Sequence, residues 1–244
     1  MNYKARFSAM AVHGVFSIVL LGIALLIVYG IWYPSPLAKA MGVTHIFWLM
    51  LTIDLILGPL LTFAVFNKNK KELKFDLLII VLVQLAAYLY GLHTVAQGRP
   101  AWQVFVVDDI ELVRAVDIVD EAKADAAFHN SLFKKPQWVS AVYSTDPKIA
   151  EQQKQDEMFG SSLAVHPETY QPLAVQSEKI HKKIKLINEL SKYNAAAKIN
   201  SVMADYKQKS IAGYLPVKGF EEDMIALVDL QMQPVAIVDL RPWN

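Results

Sequence analysis

The sequence predicts a membrane α-helical part of three transmembrane helices, followed by a C-terminal α+β domain with a mainly antiparallel sheet. Two observations carry this. Three apolar runs, at about 10–31, 46–66 and 77–96, are each long enough for a helix to cross the ~30 Å hydrocarbon core of a bilayer. Behind them, strand-like stretches open and close the rest of the chain, with helical stretches between. Hydrophobic residues make up 54% of the 244, and their excess lies before residue 97. The predicted division is therefore a transmembrane domain over 1–97 and an outer domain over 98–244, long enough for its own core.

The first run follows Lys4 and Arg6, as the apolar part of a signal peptide does. A signal peptide has a shorter apolar stretch and a small-x-small cleavage site. This run instead ends in the bulky IWYPSPL, so a retained span is expected. Gly14, Ser17 and Gly22 stripe it, a spacing that favours close helix packing in lipid.

The second run carries Asp54 at its centre. An ionisable group at that depth costs several kcal/mol, on the order of 3, unless it is shielded, and by default it marks a function. Gly58 follows one turn later on the same face. Pro59 removes the hydrogen bond to the carbonyl of residue 55 and kinks the helix. Two readings stay open. In one, Asp54, Gly58 and Pro59, with Gly14 and Gln84, form a docking notch for a partner's transmembrane helix. In the other they make an internal bundle contact, with Asp54 bonded to His13 or Gln84. Ion translocation is disfavoured, because no acid–base relay accompanies the single acid. On the third run, Gln84, Tyr88 and Gly91 share the same ambiguity.

Lysine and arginine set the orientation. Six precede the first span or lie between the second and third: Lys4, Arg6, Lys68, Lys70, Lys71 and Lys74. Only Lys39 lies between the first and second. By the positive-inside rule the N-terminus is cytoplasmic, and the 33–44 loop and everything after the third span lie outside. In a two-membrane bacterium that side is the periplasm. Trp32, Tyr33 and Trp48 flank the outer loop, where aromatic rings favour the membrane interface.

In the outer domain, AWQVFVVDDIELVRAVDI alternates as two strands joined tightly at Asp108-Asp109. WVSAVYS, 138–144, reads as another strand. Asp146 is placed to cap a helix with Pro147 in its first turn, and Gly160 to end it. Ser177 is expected to cap a helix whose stripe is Ile180, Ile184, Ile187 and Leu190. Strands are expected at about 211–218, 223–229 and 234–240, with a turn at 231–233.

Chemistry is conspicuous by exclusion. There are no cysteines, so disulfides and thiolate catalysis are out. The six histidines, at 13, 45, 93, 129, 166 and 181, have no H-x-H or H-x-x-x-H spacing, so no metal site is expected. Gly160-Ser161-Ser162 lacks the second glycine of a nucleophile elbow. No phosphate-binding glycine loop occurs, and no cofactor is implied. Asp108, Asp109 and Glu111 are read as turn residues, and Lys179, Lys182, Lys183 and Lys185 as a solvated helix face. From residue 97 onward 17 basic residues face 20 acidic ones, and no basic patch is large enough to suggest nucleic acid as a partner. The sequence offers no enzyme.

Four stretches carry a resemblance: GIWYPSPL, IDLILGPLLTFAVFN, KKELKFDLLIIVLVQLAAYLYG and RPAWQVFVVDDIELV, with PVAIVDLRPW at the end. Together they are similar to the type IV pilin accessory proteins of the TfpX/TfpZ group, also called FimB-like. The resemblance implies a non-enzymatic accessory of the bacterial inner membrane that binds the major pilin and supports or modulates its stability and assembly. The expected partners are the bilayer and both parts of the pilin, its membrane helix and its periplasmic head. A membrane-anchored periplasmic ligand sensor and a transporter-associated subunit are the alternatives. The cytoplasmic part is too small to hold an output domain, which counts against the sensor.

Overall fold

The computed structural model describes residues 3–243, and the chain divides into two compact units. One is Met1–Ile31 with Val43–Gln97; the other is Trp32–Gly42 with Gly98–Asn244. The segment joining the first two spans thus goes with the later part of the chain.

The first unit is helical. Helix α1 (Tyr3–Ile27) widens into a π-helical turn, Val28–Trp32. After the short α2 (Leu37–Ala40), which belongs to the second unit, come α3 (Val43–Val65) and α4 (Leu73–Gln97). The three long helices have the length and composition of membrane spans. Both α1 and α4 pack on α3. Phe7 meets Phe63 at 4.9 Å between ring centroids, which sets the start of α1 beside the end of α3.

The second unit is built on a seven-stranded sheet of order β4-β3-β1-β2-β5-β6-β7. The strands are β1 (Pro100–Val106), β2 (Asp109–Arg114), β3 (Gln137–Ala141), β4 (Tyr170–Gln171), β5 (Ile211–Lys218), β6 (Met224–Asp229) and β7 (Pro234–Val238). The sheet is mixed, which corrects the expectation of a mainly antiparallel one. Hairpin neighbours pair antiparallel, but β1 pairs parallel with β3 and β2 pairs parallel with β5. Both parallel partners are reached by long connections, and a crossover of a dozen or more residues is what parallel pairing requires. Local sequence announces hairpins; it does not announce which strand a long connection returns to.

Side-chain alternation gives both sheet faces a core. Phe105, Ile110, Leu215, Met224 and Ala226 point to one cluster, covered by Leu37 and Ala40 of α2 and by Ile180. On the other face, Trp102, Val104 and Val106 join Val139 and Leu163, while Tyr214, Ile225 and Leu227 join Leu190 and Leu240. Burial on both faces is why β1 and β6 read as nearly unbroken apolar runs.

Three local expectations change. The first hairpin turns at Val107-Asp108, one residue before the acidic pair, with Val107 at φ 52° and Asp109 opposite Val106. Asp109 is drawn inward to the Lys218 ammonium, at 2.7 Å. The helix expected through Leu190 stops early: α6 covers Ser177–Lys183, and a separate 3-10 helix covers Ile187–Lys192. Between them Lys185 exchanges two backbone hydrogen bonds with Tyr214, at 2.8 and 2.9 Å. A Cβ on Gly213 would lie 2.5 Å from the Lys185 carbonyl oxygen, so glycine permits this approach. Ile180 and Leu190 therefore serve opposite faces of the sheet, which one continuous stripe could not do. Ser177 donates to the Ala174 carbonyl instead of capping.

The Asp146 cap stands as expected, accepting from the amides of Lys148 and Ile149 at the start of α5 (Pro147–Met158), with Gly160 at φ 94° beyond its end. Helix α7 (Ala196–Asp205) has no counterpart in the sequence reading. It begins without a side-chain cap, so the usual start signal is missing.

Candidate functional site

The helices of the first unit meet around a buried polar chain. Pro59 lies inside α3 and cannot donate to the Leu55 carbonyl, which loosens that turn. Gly58, just before it, leaves a gap in the helix surface. Gln84 of α4 and His13 of α1 fill it: a Cβ on Gly58 would lie 1.8 Å from Gln84 Oε1 and 2.9 Å from His13 Nε2. Gly14 faces Pro59, whose Cγ would be 3.9 Å from a Cβ there.

The bonds run in one direction. Thr62 Oγ1 is 2.6 Å from His13 Nδ1, and His13 Nε2 is 2.7 Å from Gln84 Oε1. The amide oxygen can only accept, which assigns the imidazole proton to Nε2 and makes Thr62 the donor to Nδ1. The Gln84 amide nitrogen then donates to Ser17 Oγ at 3.1 Å and to the Asp54 backbone carbonyl at 3.0 Å. One turn on, the Tyr88 hydroxyl donates to the Leu20 carbonyl at 2.9 Å. Buried polar groups in lipid need such partners, and these tie all three helices together.

Asp54 stands apart. Only its backbone carbonyl enters the chain; its Oδ2 is buried and has no hydrogen-bond partner among the described residues. The carboxylate borders a gap of about 10 Å³ beside Ser17, Leu51 and Tyr88, the lower limit for one water. The structure thus brings Gly14, Gly58, Pro59 and Gln84 together and leaves Asp54 Oδ2 without a partner among the described residues. Thr62 escaped the sequence reading, although its i+4 spacing from Gly58 was visible.

In the second unit, the segment Trp32–Gly42 is clasped by the last residues of the chain. Trp32 Nε1 donates to the Leu132 carbonyl at 2.7 Å. Tyr33 is buried, and burial raises its phenol above the ordinary value. Both rings are packed within protein, whereas Trp48 is exposed. The Ala40 carbonyl accepts from the amides of Glu221 and Glu222. Lys39 reaches Glu222 at 3.1 Å and Asp239 at 3.0 Å. Arg241 joins Glu222, Asp239 and the Asp223 carbonyl, and Trp243 Nε1 donates to Asp223 at 2.7 Å. Burial pushes the Asp239 carboxyl up, but Lys39, Arg241 and Lys198 together hold it below its usual range. The family-like stretches around residues 31–37 and 234–243 are therefore one structural element, split by 200 residues.

One arrangement has the outline of a catalytic triad. Ser161 Oγ is 3.1 Å from His166 Nε2, and His166 Nδ1 is 3.3 Å from Glu168. The carboxylates of Asp156 and Glu168 border the same cavity. They would repel the oxyanion that acyl transfer must stabilise. The bond closes the loop after α5. Among the described residues, no group of three or more His, Asp or Glu is placed to hold a metal ion.

No family model matches the chain, and no solved structure does. Curated relatives from Dichelobacter nodosus match between about half and four fifths of the chain. The fimbrial assembly protein of serogroup E1 is 32% identical over 183 residues, which are 69% of this chain and 68% of the relative. That of serogroup I is 31% identical over 205 residues, 80% of this chain and 79% of the relative. That of serogroups C1 and C2 is 35% identical over 124 residues, 49% of this chain and 95% of the relative. The chain belongs to the fimbrial assembly protein family, as its resemblance to the type IV pilin accessory proteins implied.

Proposed function

We propose that this protein is a non-enzymatic inner-membrane accessory of type IV pilus biogenesis, which binds the major pilin and supports or modulates its stability and assembly. The observation that carries this is the similarity, over 69% and 80% of the chain, to relatives named for fimbrial assembly. The N-terminus and the 67–74 loop face the cytoplasm, and the second unit is periplasmic. Two features support that orientation: the lysine bias of the loops, and the membership of Trp32–Gly42 and Gly98–Asn244 in one unit. Segments that share a compact unit must share a side of the membrane.

A pilin awaiting assembly is held in the bilayer by one helix, with its head outside. An accessory with spans and an outer domain on the matching side can hold both parts. In this proposal Gly14, Gly58, Pro59 and Gln84 fix the helix positions, and Asp54 supplies the polar contact to the pilin helix. Asp54 is only half-buried and its buried Oδ2 has no hydrogen-bond partner among the described residues, which supports that role, because a membrane carboxylate short of internal partners has free energy to gain from an external one.

Photo-crosslinking tests this. Probes at the exposed positions Leu57 on α3, and Phe133 and Phe159 in the second unit, are expected to capture pilin in cells. Capture from none of the three overturns pilin binding. Proteolysis of spheroplasts checks the orientation separately: the second unit should be cut from outside and the 67–74 loop protected.

A further inference from the structure

The first unit contains an open trough of about 860 Å³ at the end of the helices that carries Lys4 and Lys68. Ala9, Val12 and Phe16 of α1, Leu77 and Val81 of α4 and Phe66 line it, with His13 and Thr62 of the polar chain also on its surface. Lys4, in the first turn of α1, and Lys68, just after α3, line its outer end. Neither lysine has an ion pair among the described residues, whereas the nearby Lys70 is paired with Asp76.

Length decides what fits. From Lys4 to Phe16 the α1 wall runs about 18 Å at 1.5 Å per residue. One leaflet contributes about 15 Å, half of the ~30 Å core that a spanning helix must cross. The trough also ends where Ser17 is bonded to Gln84, which ties α1 to α4. A partner helix running through the membrane would meet that tie halfway. An acyl chain entering from the lysine end would stop there naturally. Two ammonium groups at the entrance, without an ion pair among the described residues, select a negative headgroup, as basic clusters at the ends of membrane helices do.

We propose that this trough binds one anionic phospholipid, with the phosphate on Lys4 and Lys68 and an acyl chain along Ala9, Val12 and Phe16. The site stands independently of pilin binding, since it rests on the shape and charge of the first unit alone.

The chain has no cysteine, so a single Ala9→Cys variant can carry one fluorophore inside the trough. The full-length labelled protein is reconstituted in phosphatidylcholine vesicles holding a minor fraction of nitroxide-labelled phosphatidylglycerol or, separately, nitroxide-labelled phosphatidylcholine. Phosphatidylglycerol is expected to quench position 9 several-fold more than phosphatidylcholine at equal mole fraction. A label from Val15→Cys, on an exposed part of α1, should show no preference. Lys4→Gln and Lys68→Gln should each reduce the preference about five-fold, from the roughly 1 kcal/mol per basic residue at an anionic surface. Both lysines are exposed, with no ion pair among the described residues, so these variants keep the fold. Equal quenching by the two lipids at position 9 overturns the site. So does a preference that survives removal of both lysines. Absence of quenching by either lipid means that another helix fills the trough, and it overturns the site as well.

Discussion

Gln84 occupies the space that a side chain at position 58 would need: a Cβ on Gly58 would stand 1.8 Å from Gln84 Oε1. The two residues are one fitted pair, in which the smallest residue on α3 receives the amide that links α3 to α1. Gly58→Ala should displace Gln84 and break its bonds to His13, Ser17 and Asp54, at a cost of about 1–3 kcal/mol from overpacking. Gln84→Ala alone should cost about 1–2 kcal/mol, the range of polar contacts between membrane helices. The double variant should lose less than the sum, because removing the amide vacates the space the new methyl needs. Thermal unfolding in detergent measures all three, and strict additivity would falsify the pairing.

Asp54 should separate stability from function. Its Oδ2 is buried without a partner among the described residues, so Asp54→Leu removes a desolvation cost and should make the purified protein more resistant to heat, by about 1–3 kcal/mol. If the carboxylate serves the pilin, the same variant should lower surface piliation in cells. A variant that is less stable when purified refutes the first statement; one with normal piliation refutes the second.

The clasp around Trp32–Gly42 depends unequally on Arg241 and Lys39. Arg241 holds Glu222, Asp239 and the Asp223 carbonyl, and its removal leaves the two acids with only the more exposed Lys39 and Lys198. Arg241→Ala should cost about 2–4 kcal/mol. Lys39 is about half exposed, 49% for its side chain, so Lys39→Ala should cost at most about 1 kcal/mol. Melting curves of the full-length variants should fall in that order.

Acid should act through the same clasp. Asp239 is held below the ordinary carboxylate range, so its contribution is complete above the unfolded value of about 3.9 and is lost as pH falls through the lower folded value. Asp109 has the opposite sign, since burial raises it despite Lys218, and protonation there relieves a cost. Stability against pH should drop below about pH 4 in the native protein. Asp239→Asn should be weaker at neutral pH and flatter in acid. An unchanged acid slope excludes Asp239 as its source.

Val107 is a β-branched residue at φ 52° in the first hairpin turn, a backbone region that costs an L-residue about 1–2 kcal/mol. Val107→Gly suits a two-residue turn with positive φ at its first position. It should raise the stability of the full chain by up to about 1 kcal/mol, after the entropy that glycine adds to the unfolded chain. A lower melting temperature would show that the Val107 side chain is held by packing.

The spans could be read from the sequence because a bilayer imposes one length and one polarity on any helix that crosses it, whichever neighbours that helix finds. The Asp146 cap with Pro147 and Gly160 was equally plain, since capping is settled within a few residues. The break between Lys183 and Ile187 was not. The spacing of Ile180, Ile184, Ile187 and Leu190 suits one helix, and only pairing of Lys185 with Tyr214 splits it. For the site, Gly58, Pro59 and Gln84 stood out individually as unusual residues for a span. Their convergence with His13 and Thr62 required three helices at fixed rotation.

By itself, then, the sequence determined three membrane helices, the strand-bearing second part and the anomaly of Asp54. These follow from local polarity and periodicity, which any neighbour leaves unchanged. The tertiary structure decided the parallel pairings of β1 with β3 and β2 with β5, the clasp of Lys39 by Asp239, and the partners of Gln84. Each of these joins residues tens to hundreds of positions apart. Their contact energy is realised only when the intervening chain has folded back, and no local pattern records that return.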